Sequence, residues 1–134
     1  MKKIKNFKIK SFSKSSGKLI PISFNKNFPV KVKRVFFIYG RKNKIRGEHA
    51  HKKCSQFFIP IFGKIILNAQ TPNNKKKIIL NHLSKNAVLV PPKYWCSIKF
   101  VKKSSILMVA CDQYYKVSDY LKSFKEYKNY LRKK

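Results

Sequence analysis

Arg46-Gly47-Glu48-His49-Ala50-His51-Lys52-Lys53, with Cys54-Ser55-Gln56-Phe57-Phe58-Ile59-Pro60-Ile61-Phe62-Gly63 behind it, settles whether this chain is built from strands or helices. Aromatic and β-branched residues crowd towards a closing glycine, the composition of strands. The stretch reads as one extended run from Gly47 to Phe62 ended by Gly63, with Lys64 to Ala69 as its hairpin partner. In extended backbone, alternate side chains share a face, so His49 and His51 point one way and Glu48 and Ala50 the other. Two imidazoles then share one pocket with Arg46 beside them.

The same signature continues on both sides. Val30, Val32, Val35, Phe36, Phe37 and Ile38 make Val30 to Tyr39 a strand, turned by Gly40 to Lys44. Thr71-Pro72-Asn73-Asn74 is a turn. Ile78 to Leu83, Ala87 to Val90, Ser97 to Val101 and Ser105 to Ala110 are four further short apolar segments, a spacing that predicts an all-β sandwich or barrel. Only the tail changes period. Val117, Leu121, Phe124, Lys128 and Leu131, with Tyr120, Tyr127 and Tyr130, predict an amphipathic helix packed on the sheets, with Ser118 as its cap. Residues 1–28 are basic, rich in Ser and Asn, and read as an irregular arm or edge hairpin turning at Ser15-Ser16-Gly17. No linker divides the chain, so 1–134 is expected to be one domain.

Composition bounds the function. The 134 residues hold 33 Lys and Arg against 4 Asp and Glu, a net charge of +29. With 43% hydrophobic and 14% aromatic residues, the charge does not make the chain disordered. No apolar run approaches the roughly 20 residues of a membrane span, and the start MKKIKNFKIKSF lacks a signal's apolar stretch, so a cytoplasmic protein is expected. Cys54, Cys96 and Cys111 form no CxxC pair and read as reduced thiols. A field this positive attracts polyanions, so nucleic acid is one candidate partner. Twenty-nine of the 33 cations are scattered Lys, however, whereas Arg34, Arg41 and Arg46 fall within one short stretch. Arg carries the planar fork that grips phosphate.

The histidine pair could move protons or hold a metal. The spacing His49-x-His51, Gln56, Gly63 resembles the first motif of the cupin barrels, with Gln where metal-binding members have Glu. Pro91-Pro92-Lys93-Tyr94-Trp95-Cys96 resembles the second, with Cys96 at the remaining metal-binding His. His, His, Gln and Cys suit iron or manganese poorly. Proton transfer without metal is the better account, and a soft ion such as zinc bound through Cys96 is the alternative.

At these residues the chain resembles the small cupins that act as dTDP-sugar 3,4-ketoisomerases. The match runs in order through Gly17-x-Leu19, Lys33-Arg34-Val35-Phe36-Phe37-Ile38-Tyr39, Arg46-Gly47-x-His49-Ala50-His51-Lys52-Lys53, Gln56, Val90-x-Pro92-x-x-Trp95, Ala110-x-Asp112 and Asp119-Tyr120. It departs at Cys96-Ser97, where relatives carry His-Glu, and at Ser16, where they tend to carry Arg. The resemblance implies a single cupin jelly-roll barrel with a short C-terminal helix. It implies conversion of dTDP-4-keto-6-deoxy-glucose to the 3-keto sugar with no metal or cofactor, in making a 3-amino-3,6-dideoxy sugar for a surface glycan such as a lipopolysaccharide O-antigen. His51 is then expected as the base at C3 and His49 as its partner, with Arg34, Tyr39, Arg46, Gln56 and Trp95 binding substrate. A homodimer that exchanges the 1–28 arms is implied too, with neither nucleic acid nor membrane as partner. A non-enzymatic cupin that binds nucleotide sugar or nucleic acid, and an epimerase acting at a neighbouring carbon, are the alternatives.

Overall fold

A computed structural model describes residues 1–133. Twelve strands follow one another before a single helix: β1 (Lys5–Lys8), β2 (Phe12–Lys14), β3 (Gly17–Leu19), β4 (Arg34–Arg41), β5 (Ile45–His51), β6 (Gln56–Phe62), β7 (Lys64–Gln70), β8 (Lys75–Asn81), β9 (Asn86–Val90), β10 (Trp95–Phe100), β11 (Ser104–Cys111), β12 (Tyr120–Leu121) and α1 (Phe124–Arg132). One antiparallel sheet has the order β1-β9-β6-β11-β4, a second the order β12-β5-β10-β7-β8, and β2 and β3 pair only with each other. This is the expected all-β jelly roll with a C-terminal helix. Among the described residues no helix is long and apolar enough to cross a membrane.

The main core lies between the sheets, where Phe58, Val88, Leu107 and Val109 of the first meet Ile65, Leu67, Leu80, Ile98 and Phe100 of the second. Phe57 and Ile59 alternate with Phe58 and point to the other face, which the arm covers with Phe7, Ile9, Ile22 and Phe28. Both faces of β6 are therefore buried, which is why its sequence is continuously apolar rather than alternating. At the far side of the second sheet, Ala50, Leu121 and Tyr127 pack with Trp95 and Phe124, so α1 docks by its aromatic stripe as expected.

Four expectations are corrected. The run from Gly47 to Phe62 is two strands in different sheets, because residues 52–55 cross between them. Asp119 Oδ1 accepts from the Lys53 N–H at 2.7 Å and Asp112 Oδ1 from the Ser55 N–H at 2.8 Å, which satisfies the donors that leave the ladder. Lys64 to Ala69 is not a hairpin partner of that run, since β7 pairs β8 and β10. Gly63 is instead the corner at which the chain changes sheet. Its φ is +83°, and a Cβ there would meet Ser105 Oγ and the Ser104 carbonyl, so only glycine fits. The strand expected from Val30 starts at Arg34.

The helix starts at Phe124, capped by Ser123 rather than Ser118. The Ser123 hydroxyl accepts from the Glu126 N–H at 3.1 Å, a cap worth about 1 kcal/mol. Residues 117–119 form one 3-10 turn, and Tyr120–Leu121 is drawn into strand pairing with His51 and Ala50. The apolar spacing was a composite of strand and helix. In the arm, β1 lies on β9 of its own chain and β2–β3 is a separate hairpin.

Candidate active site

Five elements build a cavity of about 410 Å³ at one end of the jelly roll: Tyr39 from β4, Arg46 and His49 from β5, Gln56 from β6, Cys96 from β10 and Tyr120 from β12 line it, over a floor that includes Phe58 and Ile98. Simple alternation would put Arg46 and His49, three residues apart, on opposite faces. A bulge corrects this. Cys96 pairs His49 and Ile98 pairs Arg46, so two residues of β5, Gly47 and Glu48, oppose Ser97 alone of β10. Gly47 and Glu48 take up the extra residue at φ +97° and +20°. The glycine of the signature is therefore what brings the arginine onto the histidine face.

His49 and His51 share that face as expected, their rings edge to face at 5.2 Å. His51 is 5% exposed and its Nδ1 lies 2.8 Å from Asp119 Oδ2. A carboxylate only accepts, so Nδ1 carries the hydrogen and Nε2 is the lone-pair nitrogen. Nε2 is buried and has no protein partner. Burial is the main cause that lowers both histidines. His49 falls to about 4, helped by the neighbouring His51, and His51 is lowered despite the opposing pull of Asp119. Both imidazoles are neutral at pH 7, the state a proton acceptor needs.

Arg34 does not line the cavity wall. Its guanidinium lies behind it, 5.3 Å from the Phe36 and Tyr115 rings, and donates to Cys111 Sγ at 3.7 Å. Burial works against its charge, but Tyr120 and Cys111 outweigh that and hold it above its ordinary value. Gln56, 7% exposed, also donates to Cys111 Sγ, at 3.8 Å. A hydrogen bond from Cys54, against the effect of burial, and the Arg34 and Gln56 donors pull the Cys111 thiol down, while Cys54 is pushed up. Cys96 is buried in apolar surroundings and pushed up to about 12, so it faces His49 as a neutral thiol. All three cysteines are free.

Trp95 is not brought to the cavity. It packs edge to face on Phe124 at 5.5 Å and beside Tyr127 at 5.8 Å, under the helix. Of the expected residues, Tyr39, Arg46, His49 and Gln56 line the space and Arg34 and His51 lie just behind it. Asp119 and Tyr120 were missed as site residues. They stand 68 or more positions from His51 in the chain, and the sequence marks them only as the last segment of the family match. Among the described residues, one group brings metal-type donors within 4.8 Å of one another: His51, Cys54 and Asp119. Asp119 already holds His51 there, and the Arg34 charge acts on His51 against a further cation.

Comparison with known proteins agrees with this geometry. The family described as FdtA, WxcM-like, C-terminal, matches residues 2–132. A TDP-4-oxo-6-deoxy-α-D-glucose-3,4-oxoisomerase of Aneurinibacillus thermoaerophilus is 31% identical over 132 residues, 98% of this chain and 93% of that protein. The sugar 3,4-ketoisomerase QdtA of Thermoanaerobacterium thermosaccharolyticum, solved with TDP, superposes with a TM-score of 0.87 at 27% identity, over 97% of this chain and 95% of its own. The TDP-quinovose 3,4-ketoisomerase WlaRB of Campylobacter jejuni does so with 0.83 at 26%, over 96% and 99%. A buried, carboxylate-held histidine with a second histidine against it thus sits on the frame that these isomerases share, and the chain belongs to the WxcM-like family of nucleotide-sugar 3,4-ketoisomerases.

Proposed function

We propose that the protein converts dTDP-4-keto-6-deoxy-glucose to the dTDP-3-keto-6-deoxy-hexose by moving a proton from C3 to C4 through its histidines. The observation that carries this reading is the neutral His51, with Nδ1 held by Asp119 at 2.8 Å and a buried, unpartnered Nε2, next to His49 on the cavity wall. A hydrogen beside a ketone is acidic because the carbanion delocalises as an enolate, so a positioned base and polar groups at the oxygens suffice. His51 takes the C3 proton and His49 serves C4. Arg46 and Arg34 are the cations suited to the diphosphate and to developing oxygen charge. Tyr39 and Gln56 supply polar contacts, and Trp95 acts by seating the helix behind β12. On this reading the 3-keto sugar goes on to amination, in deoxyamino-sugar assembly for a surface glycan such as an O-antigen. Three buried free thiols fit a reducing compartment such as the cytoplasm.

Incubation with dTDP-4-keto-6-deoxy-glucose in deuterated water, followed by proton NMR, tests the reading. The 3-keto sugar should accumulate with deuterium at the exchanged carbon. Deuterium entering with no 3-keto product would indicate an epimerase, and neither product nor exchange a binding protein. His51→Asn should abolish turnover and leave nucleotide-sugar affinity within a few-fold, since loss of a general base costs on the order of 10²–10⁴ in rate.

A further inference from the structure

The reaction moves two hydrogens. One goes between carbons, C3 to C4, and one between oxygens, because the hydroxyl at C3 becomes a carbonyl while the carbonyl at C4 becomes a hydroxyl. The histidines account for the first. The second needs a group that gives a proton to O4 as the C3–H bond breaks and takes one from O3 as the new carbonyl forms, returning to its starting state. That group must be a weak acid beside both carbons, and its conjugate base must be stabilised while the enediol exists.

Among the described residues, two tyrosines line the cavity, Tyr39 and Tyr120. Tyr39 is 76% exposed at the rim. Tyr120 is half-buried and held on three sides. Its backbone pairs with His51, its ring lies 4.4 Å from the His51 ring and 5.0 Å from the His49 ring, and its third neighbour is the Tyr115 ring at 5.7 Å, over which the Arg34 guanidinium sits at 5.3 Å, near enough that Tyr120 helps to raise Arg34. A phenol packed against both proton-carrying histidines, with a guanidinium close behind, is what an oxygen-to-oxygen relay requires, because the guanidinium stabilises a transient phenolate. The other buried phenol, Tyr127, is committed to the Gln70 and Lys93 carbonyls at 3.1 and 2.9 Å.

Resting on the ketoisomerase reading, we infer that Tyr120 is the catalytic residue that shuttles the proton from O3 to O4, with Arg34 as its positioning residue. The phenol O–H bond breaks as the O4–H bond forms, and the C3 hydrogen goes to His51 in the same half-reaction. In the second half, the O3–H bond breaks to restore the phenol, and an imidazolium N–H bond breaks as C4 takes the hydrogen that His51 accepted, delivered by way of His49, so that both histidines end neutral. No electrons leave the substrate and no co-reactant is used.

Tyr120→Phe keeps the ring that packs on the histidines and deletes only the hydroxyl, so it tests the relay rather than the packing. In deuterated water it should lower 3-keto sugar formation by about 100-fold or more. Deuterium entry at C3 should fall much less, since His51 can still remove that proton and Arg46, which lines the cavity, can still hold the enolate oxygen. The ratio of exchange to turnover therefore rises at least tenfold over wild type. Product formation within about threefold of wild type, or exchange and turnover falling by one common factor, would overturn the assignment. Incorporation of 3-fluorotyrosine at position 120, nearly the same shape with a more acidic phenol, should change kcat by more than about threefold, and an unchanged kcat would count equally against it. Wild-type protein giving neither product nor exchange removes the ketoisomerase reading itself. A wild type that turns over while the phenylalanine variant keeps pace removes only the tyrosine.

Discussion

Asp119 makes three contacts: its carboxylate Oδ2 holds His51, its Oδ1 takes the Lys53 N–H, and its backbone carbonyl takes the Lys52 N–H at 2.8 Å. The residue that fixes the tautomer of the base also fixes the loop in which the chain leaves β5. Asp119→Asn removes the charge that favours an imidazolium at His51, and kcat should fall by on the order of 10²–10⁴. The pH profile separates this from a loss of fold. Both histidines are lowered from 6.5, so the wild-type acidic limb of kcat/KM should lie below pH 6.5 rather than at it. Asp119 raises His51 against that trend, so Asp119→Asn should shift the limb further down; a limb that stays put with an unchanged rate would sink this role. Stability follows the same sign. Between pH 6.5 and about 4 the unfolded chain binds protons that His49 does not, so its contribution is complete above 6.5 and is lost as pH falls towards 4. At this scale the sequence was legible where residues are close along one strand, as with His49, His51 and Arg46. It was silent on Asp119 and Tyr120, whose roles exist only because a two-residue strand closes on β5.

Among the elements, the strands were readable where hydrophobic alternation and turn residues agreed, as at Thr71 to Asn74. They were misread where one apolar run served two sheets. Gln56 to Phe62 is apolar throughout because the arm covers its outer face, and that cover lies 20 or more residues upstream, outside any local pattern. The arm also carries the quaternary proposal. Its β1 completes the first sheet at β9, but the β2–β3 hairpin pairs with neither sheet, and Phe12 and Leu19 are 55% and 63% exposed on it. A two-stranded ribbon is marginal alone in water and gains stability by adding to another surface. Phe37 of the edge strand β4 is 52% exposed as well. We expect a homodimer in which the β2–β3 hairpins of the arms, residues 12–19, seat on the partner, with a sedimentation mass about twice the 15.8 kDa of the chain. A mass near 15.8 kDa at assay concentration would remove the claim.

For the whole molecule, the charge of +29 first points to a polyanion, yet few of the cations surround the chemistry. Arg46 lines the cavity and Arg34 lies behind it, while Lys75, Lys76 and Lys77 stand exposed on the edge strand β8 of the opposite end of the second sheet's order. Two functions of charge then separate. Cations in the site act at contact distance in a partly desolvated space, where salt screens little. The remaining lysines act through solvent, and their effect on a dianionic nucleotide sugar is to raise the encounter rate. Because the Debye length shrinks from about 10 Å at 0.1 M to about 3 Å at 1 M, raising salt across that range should lower kcat/KM several-fold. kcat should stay within about twofold, since the proton transfers take place inside the cavity. A proportional fall in both would mean that salt reaches the His51, Tyr120 and Arg34 cluster directly. A kcat/KM that does not change would leave the scattered lysines with no part in gathering substrate.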